Sequence, residues 1–246
     1  MSLVINTRTL TYTAPDGTTL HSYLALPADT NQQVAAVVIA PEWWGLTDYP
    51  MRRADALAEL GYAALAIDVY GDGKTTTAAP QAYEWMMQML NNQDVLMQRA
   101  QAGLEQLRKL PEIDENRVAA MGYCFGGKIA LDMAREGMPL QAVASFHGEL
   151  SPKAPAQLGK MTAAVLIEHG LADSMITMDA LEGFKAEMTA AEVELTVHLH
   201  KDAKHGFTNP AADQRAVDNG VDLGYNAEAD HASWQSLQDF FAAKLA

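Results

Sequence analysis

A strand-length apolar run leads straight into a glycine-flanked cysteine in the stretch Val118-Ala119-Ala120-Met121-Gly122-Tyr123-Cys124-Phe125-Gly126-Gly127. The stretch contains the pattern Gly-x-nucleophile-x-Gly, with Cys124 in the nucleophile position. In that pattern a strand turns sharply into a helix, and the flanking glycines relieve crowding around a strained central residue. We therefore expect Cys124 at the tip of a strand-turn-helix unit. The alternative is an ordinary buried cysteine beside a glycine-rich turn.

Short apolar runs recur on both sides of this stretch. Most are apolar on both faces, as parallel strands covered by helices are. The runs are 34–40, 62–69, 118–123, 142–146, 163–168 and 193–200. The last run alternates polar and apolar residues, which predicts a half-exposed strand near a sheet edge. Farther upstream, 7–13 and 19–26 flank Pro15-Asp16-Gly17 and predict an antiparallel hairpin.

Helical patterns separate these strands. One helix begins near Thr47 and ends before Gly61, and the others span 80–92, 94–110, 128–136, 178–190 and 228–245. The stretch 209–226 has the composition of a polar excursion before the last helix. This alternation predicts an α/β fold with a mainly parallel sheet and helices on both faces. We expect a single domain covering residues 1–246, because chains of this length commonly form one.

Composition narrows the classes of partner. The 17 basic and 31 acidic residues give a net charge of −14, which opposes binding to nucleic acid and to anionic membranes. No apolar stretch reaches bilayer length, and the start Met1-Ser2-Leu3-Val4-Ile5-Asn6 lacks the features of a signal peptide. These features predict a cytoplasmic protein, as a monomer or a small homo-oligomer.

Metal and cofactor sites are not expected. Cys124 is the one cysteine of the chain, so a cysteine-based zinc cluster and an intrachain disulfide are excluded. His198 and His200 share a strand face near His205, a spacing that zinc sites can use. We favour a solvated face for this pair, because Glu194 and Thr196 lie on the same side. The sequence also lacks a complete phosphate-binding loop.

An acid and a histidine follow the cysteine at the ends of later runs. Asp173 follows the run 163–168, and His205 follows the run 193–200. Ligands of such sheets bind beyond the carboxyl ends of the strands, and a nucleophile needs a base that an acid orients. The order nucleophile, acid, histidine is the one expected after this kind of elbow. Asp173 could instead be a turn acid, with Asp202 or Asp179 taking its place, and His205 an ordinary loop imidazole.

Four motifs together resemble those of the dienelactone hydrolases (carboxymethylenebutenolidases), a family with the α/β-hydrolase fold. They are Gly122-Tyr123-Cys124-Phe125-Gly126-Gly127, the Asp173 loop, His205-Gly206-Phe207 and Pro41-Glu42-Trp43-Trp44-Gly45. The resemblance implies that Cys124 attacks an ester or lactone carbonyl, that His205 carries the proton and that Asp173 orients His205. The backbone N–H groups of Phe125 and Trp43 would then stabilise the oxyanion.

The resemblance also implies a catalytic role for Glu42. A carboxylate beside a thiolate is unfavourable, so Glu42 should keep the resting Cys124 a neutral thiol unless histidine or ligand changes the balance. In the family, substrate entry is thought to move this glutamate so that the thiol ionises when needed. The alternative for Glu42 is a solvated loop acid.

The expected substrate pocket departs from the family. The resemblance implies two arginines that hold a substrate carboxylate, but the corresponding places fall near Ala79 and near Asn209, where the sequence has no arginine. Lys74 or Lys204 could replace them only as a point charge. Aromatic side chains are the candidates for a pocket that binds a less charged ester, namely Trp43, Trp44, Tyr70, Tyr83, Trp85 and Phe207. The roles of His147 and His169 are left open.

These observations predict a carboxylesterase or lactonase with a Cys124-His205-Asp173 triad and an acyl-thiol intermediate. Its partner would be a small-molecule ester or lactone that is not a typical carboxylated dienelactone. The main alternative is a non-catalytic α/β-hydrolase-fold protein that binds a small hydrophobic ligand and has a sensing or vestigial thiol. A thiol redox enzyme is a weaker alternative, because the chain has no resolving cysteine.

Overall fold

The computed structural model describes residues 4–28 and 32–246. Residues 1–3, on which part of the signal-peptide prediction rests, lie outside the described residues. The chain divides into two compact units, which meet in sequence between Ala120 and Met121. The single-domain organisation therefore stays a prediction. Within the described ranges, no helix is both long and apolar enough to cross a membrane.

The first unit consists of the N-terminal hairpin and an alternation of strands and helices. Its elements are β1 (Ile5–Thr13), β2 (Thr19–Pro27), β3 (Val34–Ala40), α1 (Asp48–Glu59), β4 (Ala63–Ala66), α2 (Ala79–Asn91) and α3 (Gln93–Arg108). The strands β1 and β2 form the predicted antiparallel hairpin around Pro15-Asp16-Gly17. The strand β4 pairs in parallel with β3 and antiparallel with β2.

The strand β5 (Ile113–Tyr123) crosses into the second unit and leads to the cysteine. The remaining elements are α4 (Phe125–Arg135), β6 (Ala142–Phe146), β7 (Ala164–Gly170), α5 (Met178–Ala190), β8 (Leu195–His200), α6 (Ala212–Asn219) and α7 (Ala227–Lys244). The strands β6, β7 and β8 pair in parallel. Parallel pairing brings the carboxyl ends of these strands, and the loops that follow them, to one edge of the sheet.

The eight strands follow the order β1-β2-β4-β3-β5-β6-β7-β8 in a sheet that is mostly parallel. This order confirms the predicted α/β fold with an antiparallel hairpin at its start. It also confirms that the strand predicted near an edge, β8, is an edge strand.

Several bounds of the elements differ from the predicted ones; β5, for example, begins at Ile113 and not at residue 118. The run 62–69 forms a strand only over Ala63–Ala66, because the buried Asp68 carboxylate accepts backbone N–H groups of the following loop. The helix expected at 128–136 begins at Phe125, immediately after the cysteine. The polar excursion 209–226 contains α6, a helix of eight residues of which five are polar, so the stretch has the composition of a loop.

A buried group of charges ties α4 to α5. Arg135 donates two hydrogen bonds of 2.9 Å to the Glu187 carboxylate and one of 2.9 Å to Asp132. Lys128 lies 3.0 Å from the other oxygen of Asp132. The Arg135 side chain is 4% exposed, so removing it leaves two carboxylates with fewer donors in a largely water-excluded place. The helix that follows Cys124 therefore depends on this group of charges for its position.

We expect Arg135→Ala to lower the free energy of unfolding by about 3 to 5 kcal/mol, the range for breaking a buried ion pair. The matched control is Lys185→Ala, which removes an exposed pair with Glu182 on α5 and should cost less than about 1 kcal/mol. Urea unfolding followed by circular dichroism measures both changes. Equal losses in the two variants would contradict the structural role of Arg135.

Candidate active site

The cysteine lies at a sharp turn between β5 and α4. Its backbone has φ 54° and ψ −117°, a left-handed region that non-glycine residues seldom adopt. The Cys124 N–H donates to the carbonyl of Phe146 at 3.0 Å, which ties the turn to the end of β6. A Cβ on Gly122 would lie 2.0 Å from the carbonyl oxygen of Gly126, so a side chain there is incompatible with the turn. The motif thus forms the predicted elbow.

The start of α4 packs closely on the turn after β6. A Cβ on Gly127 would lie 2.9 Å from the Cα of Gly148, and one on Gly148 would lie 2.9 Å from the Cα of Gly127. Both glycines are therefore needed for this approach of two backbones. The N–H of Phe125 belongs to the first turn of α4, where N–H groups point out of the helix end and attract negative charge.

Asp173 is held on both of its carboxylate oxygens. One accepts the N–H groups of Met175 at 2.8 Å and Ile176 at 3.0 Å, and the other lies 2.9 Å from Nδ1 of His205. Burial alone would raise the pKa of Asp173, but the His205 ring and the two N–H groups hold it below its ordinary value. The carboxylate is therefore ionised and fixed in orientation. By contrast, Asp202, the alternative weighed from the sequence, has a largely exposed side chain.

His205 joins the acid to the sulfur. Its ring is hydrogen-bonded to both Asp173 and Cys124. Since Nδ1 faces Asp173, Nε2 is the nitrogen left for the sulfur. Burial of the ring would by itself lower the pKa of His205, but the charge of a Cys124 thiolate and the Asp173 carboxylate raise it from 6.5 to about 10. The arrangement is suited to an imidazolium beside a thiolate.

The two histidines without an assigned role lie next to this group. His147, at the end of β6, packs its ring edge-on to His205 with centroids 5.1 Å apart. His169 is buried, and burial lowers its pKa; Asp173 opposes this effect, and the rings of His205 and His200 add to it. His169 is therefore neutral at neutral pH, so it adds no positive charge beside His205.

The histidines of β8 form the solvated face that the sequence suggested only in part, because His198 is exposed whereas His200 is not. Nδ1 of His198 and Nε2 of His200 lie 3.1 and 2.5 Å from the two oxygens of Glu168, whose side chain is fully buried. The His200 side chain is only 10% exposed, because it turns toward this carboxylate instead of water. Sequence reasoning missed Glu168, since its partners are on another strand. Among the described residues, no group of three or more His, Cys, Asp or Glu could hold a metal ion.

Of the other candidates in the second unit, Phe207 and Asn209 are interior and Lys204 is exposed. Phe207 is fully buried between the rings of His147 and His200, at centroid distances of 5.2 and 5.1 Å. Asn209 is buried, and its side-chain oxygen accepts the N–H of Ala211 at 3.0 Å. Lys204 pairs with Asp222 at 2.7 Å. Asn209 and Lys204 thus both interact with other groups of the protein.

The first unit holds the remaining candidates. Glu42 and Trp43 follow β3; Glu42 is buried and Trp43 is partly exposed. Trp43 packs edge-on to the fully buried Trp44 at 4.8 Å, and its carbonyl accepts the hydroxyl of Tyr70 at 2.9 Å.

The aromatic residues of α2 differ in exposure. Trp85 packs against Tyr70 at 5.5 Å, and the two rings line a cavity of about 180 Å³ together with Lys74. Tyr83 is 55% exposed, because it lies on the outer side of α2. The structure thus brings together Trp43 with Trp44 and Tyr70 with Trp85, whereas Tyr83 faces solvent.

The chain is similar in sequence to a known family of hydrolases over most of its length. The family model described as the dienelactone hydrolase family matches residues 20–245. A "Putative carboxymethylenebutenolidase" of Yersinia pestis is 25% identical over 92% of this chain and 84% of its own length.

Two solved structures are similar over nearly the whole chain. A dienelactone hydrolase-like promiscuous phosphotriesterase from metagenomic libraries is 32% identical, with a TM-score of 0.92 over 98% of this chain and 99% of that one. A dienelactone hydrolase from Anabaena variabilis is 19% identical, with a TM-score of 0.67 over 98% and 99% of the two chains, and shares the fold. With a family match over this length, the chain belongs to the dienelactone hydrolase family and is a hydrolase.

Proposed function

We propose that the protein hydrolyses carboxylic esters and lactones by nucleophilic catalysis at Cys124, with His205 as proton carrier and Asp173 as its orienting acid. The observation that carries the proposal is the hydrogen-bonded series from Cys124 through His205 to Asp173. It joins three residues that are far apart in sequence in the order expected for this fold. A residue that merely fills space would have no need of such a series.

In the first half-reaction the Cys124 thiolate attacks the carbonyl carbon. A carbon–sulfur bond forms, and the carbonyl electron pair moves to oxygen, where the N–H groups of Phe125 and Trp43 are the proposed donors. The intermediate then collapses, the carbon–oxygen bond breaks, and the His205 imidazolium gives its proton to the leaving alkoxide. This step leaves an acyl-thiol on Cys124 and a neutral His205.

In the second half-reaction water replaces the alcohol. Neutral His205 accepts a proton from water as the oxygen attacks the thioester carbon, and the carbon–sulfur bond then breaks. The product is a carboxylic acid, and the thiolate and imidazolium are restored. Asp173 keeps the ring in the tautomer that this exchange needs, because its carboxylate accepts from Nδ1.

The proposed substrates are uncharged esters. Asn209 stands where the family resemblance implies an arginine, and Lys204 is paired with Asp222 at 2.7 Å. Lys74 lies 3.8 Å from Asp72. Cations already partnered by carboxylates are poor anchors for a substrate carboxylate, and the net charge of −14 adds a general repulsion.

A second candidate activity is hydrolysis of neutral phosphate triesters. It is supported by the 32% identity with a phosphotriesterase over nearly the whole chain. A triester, like a carboxylic ester, offers an uncharged electrophilic centre whose oxygen gains negative charge in the transition state. The same nucleophile and the same donors would serve both substrate classes.

We expect Cys124→Ala and His205→Ala to reduce kcat/KM for a short activated ester by about 1000-fold or more, since each removes a member of the triad. His231→Ala, which removes an exposed histidine of α7, is the matched control and should retain activity. A panel of esters, lactones and a neutral phosphotriester measures substrate range. Similar rates in the wild type and both triad variants would disprove the mechanism. Tight binding of a small hydrophobic ligand without turnover would instead favour the alternative of a non-catalytic binding protein.

We expect His205 to remain an imidazolium at neutral pH and to lose its proton near pH 10. Its pKa is raised above 6.5, so the stabilisation it brings to the folded state is complete below about pH 6.5 and is lost as pH rises through about 10. NMR titration of ¹⁵N-histidine-labelled protein measures the transition, with His205→Gln for assignment. Cys124→Ala should lower the transition, because it removes the thiolate charge. A wild-type transition at the ordinary histidine value would contradict the ion pair.

Glu42 is proposed to oppose the ionisation of the thiol that His205 favours. If so, Glu42→Gln should react with iodoacetamide several times faster than the wild type at neutral pH, because a neutral amide no longer opposes the thiolate. Glu59→Gln, a change to an exposed acid of α1, is the control and should leave the rate unchanged. Mass spectrometry of the alkylated protein gives the rate. An unaltered rate in Glu42→Gln would remove this part of the proposal.

A further inference from the structure

His147 lies in a conformation that the surrounding structure must enforce. It follows the last residue of β6, its φ is 40°, and its side chain is buried. A left-handed backbone at a residue other than glycine is strained and persists only where neighbouring contacts hold it. The contacts of His147 therefore show which parts of the structure hold this conformation in place.

The backbone around His147 is attached to two segments of the proposed triad. The His147 N–H donates to the carbonyl of Glu168 at 2.9 Å, on the strand that leads to Asp173. The carbonyl of the preceding residue, Phe146, accepts the N–H of Cys124 at 3.0 Å. Movement of this turn would thus displace Cys124 and the strand that leads to Asp173.

The ring of His147 contacts the third segment. Nε2 lies 2.9 Å from Oγ1 of Thr208, and both side chains are buried. The ring also packs edge-on to the rings of His205 at 5.1 Å and Phe207 at 5.2 Å. His147 therefore touches the segment 205–208 through one hydrogen bond and two ring contacts.

Packing by itself does not account for this arrangement. A buried imidazole and a buried hydroxyl lose their hydrogen bonds with water, and the bond they make to each other offers only a modest net gain. Its main effect is directional, because a hydrogen bond between two buried side chains allows few relative orientations. The orientation fixed here is that of the loop that carries His205.

We propose that His147 is a positioning residue: its hydrogen bond to Thr208 and its edge-on contact with His205 hold the His205 ring in line with Cys124. The inference rests on the proposed function, in which His205 supports the thiolate and carries the proton. It predicts that loss of the His147–Thr208 bond weakens both the reactivity of the thiol and turnover. Substrate binding should change little.

The experiment compares Thr208→Val, which keeps the shape of threonine without the hydroxyl, with Thr208→Ser, which keeps the hydroxyl. Alkylation of Cys124 by iodoacetamide at neutral pH and hydrolysis of an activated ester are measured in each variant. We expect Thr208→Val to lose about tenfold in alkylation rate and in kcat, with KM within about twofold of the wild type, because a small displacement of the ring is enough for such losses. Thr208→Ser should stay within about twofold on all three measures.

Equal alkylation rates and equal kcat in the two Thr208 variants would overturn the proposal, whatever their melting temperatures. His147→Asn provides a second test, because asparagine tolerates left-handed backbone and the turn can still form while the ring contact is lost. It should show the same direction of change as Thr208→Val, and wild-type alkylation in this variant would also overturn the proposal. Alkylation needs no substrate, so a wild-type protein without ester hydrolysis would contradict the proposed function while the role of His147 is still decided.

Discussion

The backbone of Cys124 lies in a conformation that an L-amino acid adopts only under restraint, with φ 54° and ψ −117°. Gly122 lacks a side chain, which allows the elbow to close on Gly126, and the carbonyl of Phe146 holds the Cys124 N–H. The cost of this strain, on the order of 1 to 3 kcal/mol, is met by the packing of α4 and of the strands beside it. Without that restraint the sulfur would not stand at the start of a helix, and neither the histidine nor the helix end could act on it.

Electrostatics then links the elbow to two distant loops. The Asp173 carboxylate is fixed by two N–H groups of its own loop, so it can hold His205 without moving. The sulfur on one side of the His205 ring and the acid on the other both raise the pKa of His205, so they favour a positive charge on the ring. Loss of either neighbour would therefore weaken the hold on the His205 ring. The buried ion pairs of α4 hold the helix that follows Cys124 against α5.

Local pattern predicted much of this structure. The runs 34–40 and 142–146 and the helix Met178–Ala190 agree with the observed elements at both ends, because the two strands are unbroken apolar runs of strand length and the helix fills the stretch between two such runs. Asp173 and His205 could be selected from their places after strands, and the structure brings them together with Cys124. By contrast, α6 is a short helix within a stretch of loop-like composition, and the contacts of Glu168 and Thr208 join residues about 30 and 60 positions apart. Sequence spacing carries no information about such partners.

The carboxylate of Glu168 has left water entirely, and two imidazoles on the neighbouring strand supply its donors. The three residues therefore have to change together. Replacement of His198 or His200 alone leaves the buried Glu168 carboxylate with one donor fewer. If Glu168 is first replaced by glutamine, both histidine positions become free to vary. We expect natural relatives to differ at these three positions jointly, so this interior trio constrains the order in which the edge of the sheet can be rebuilt.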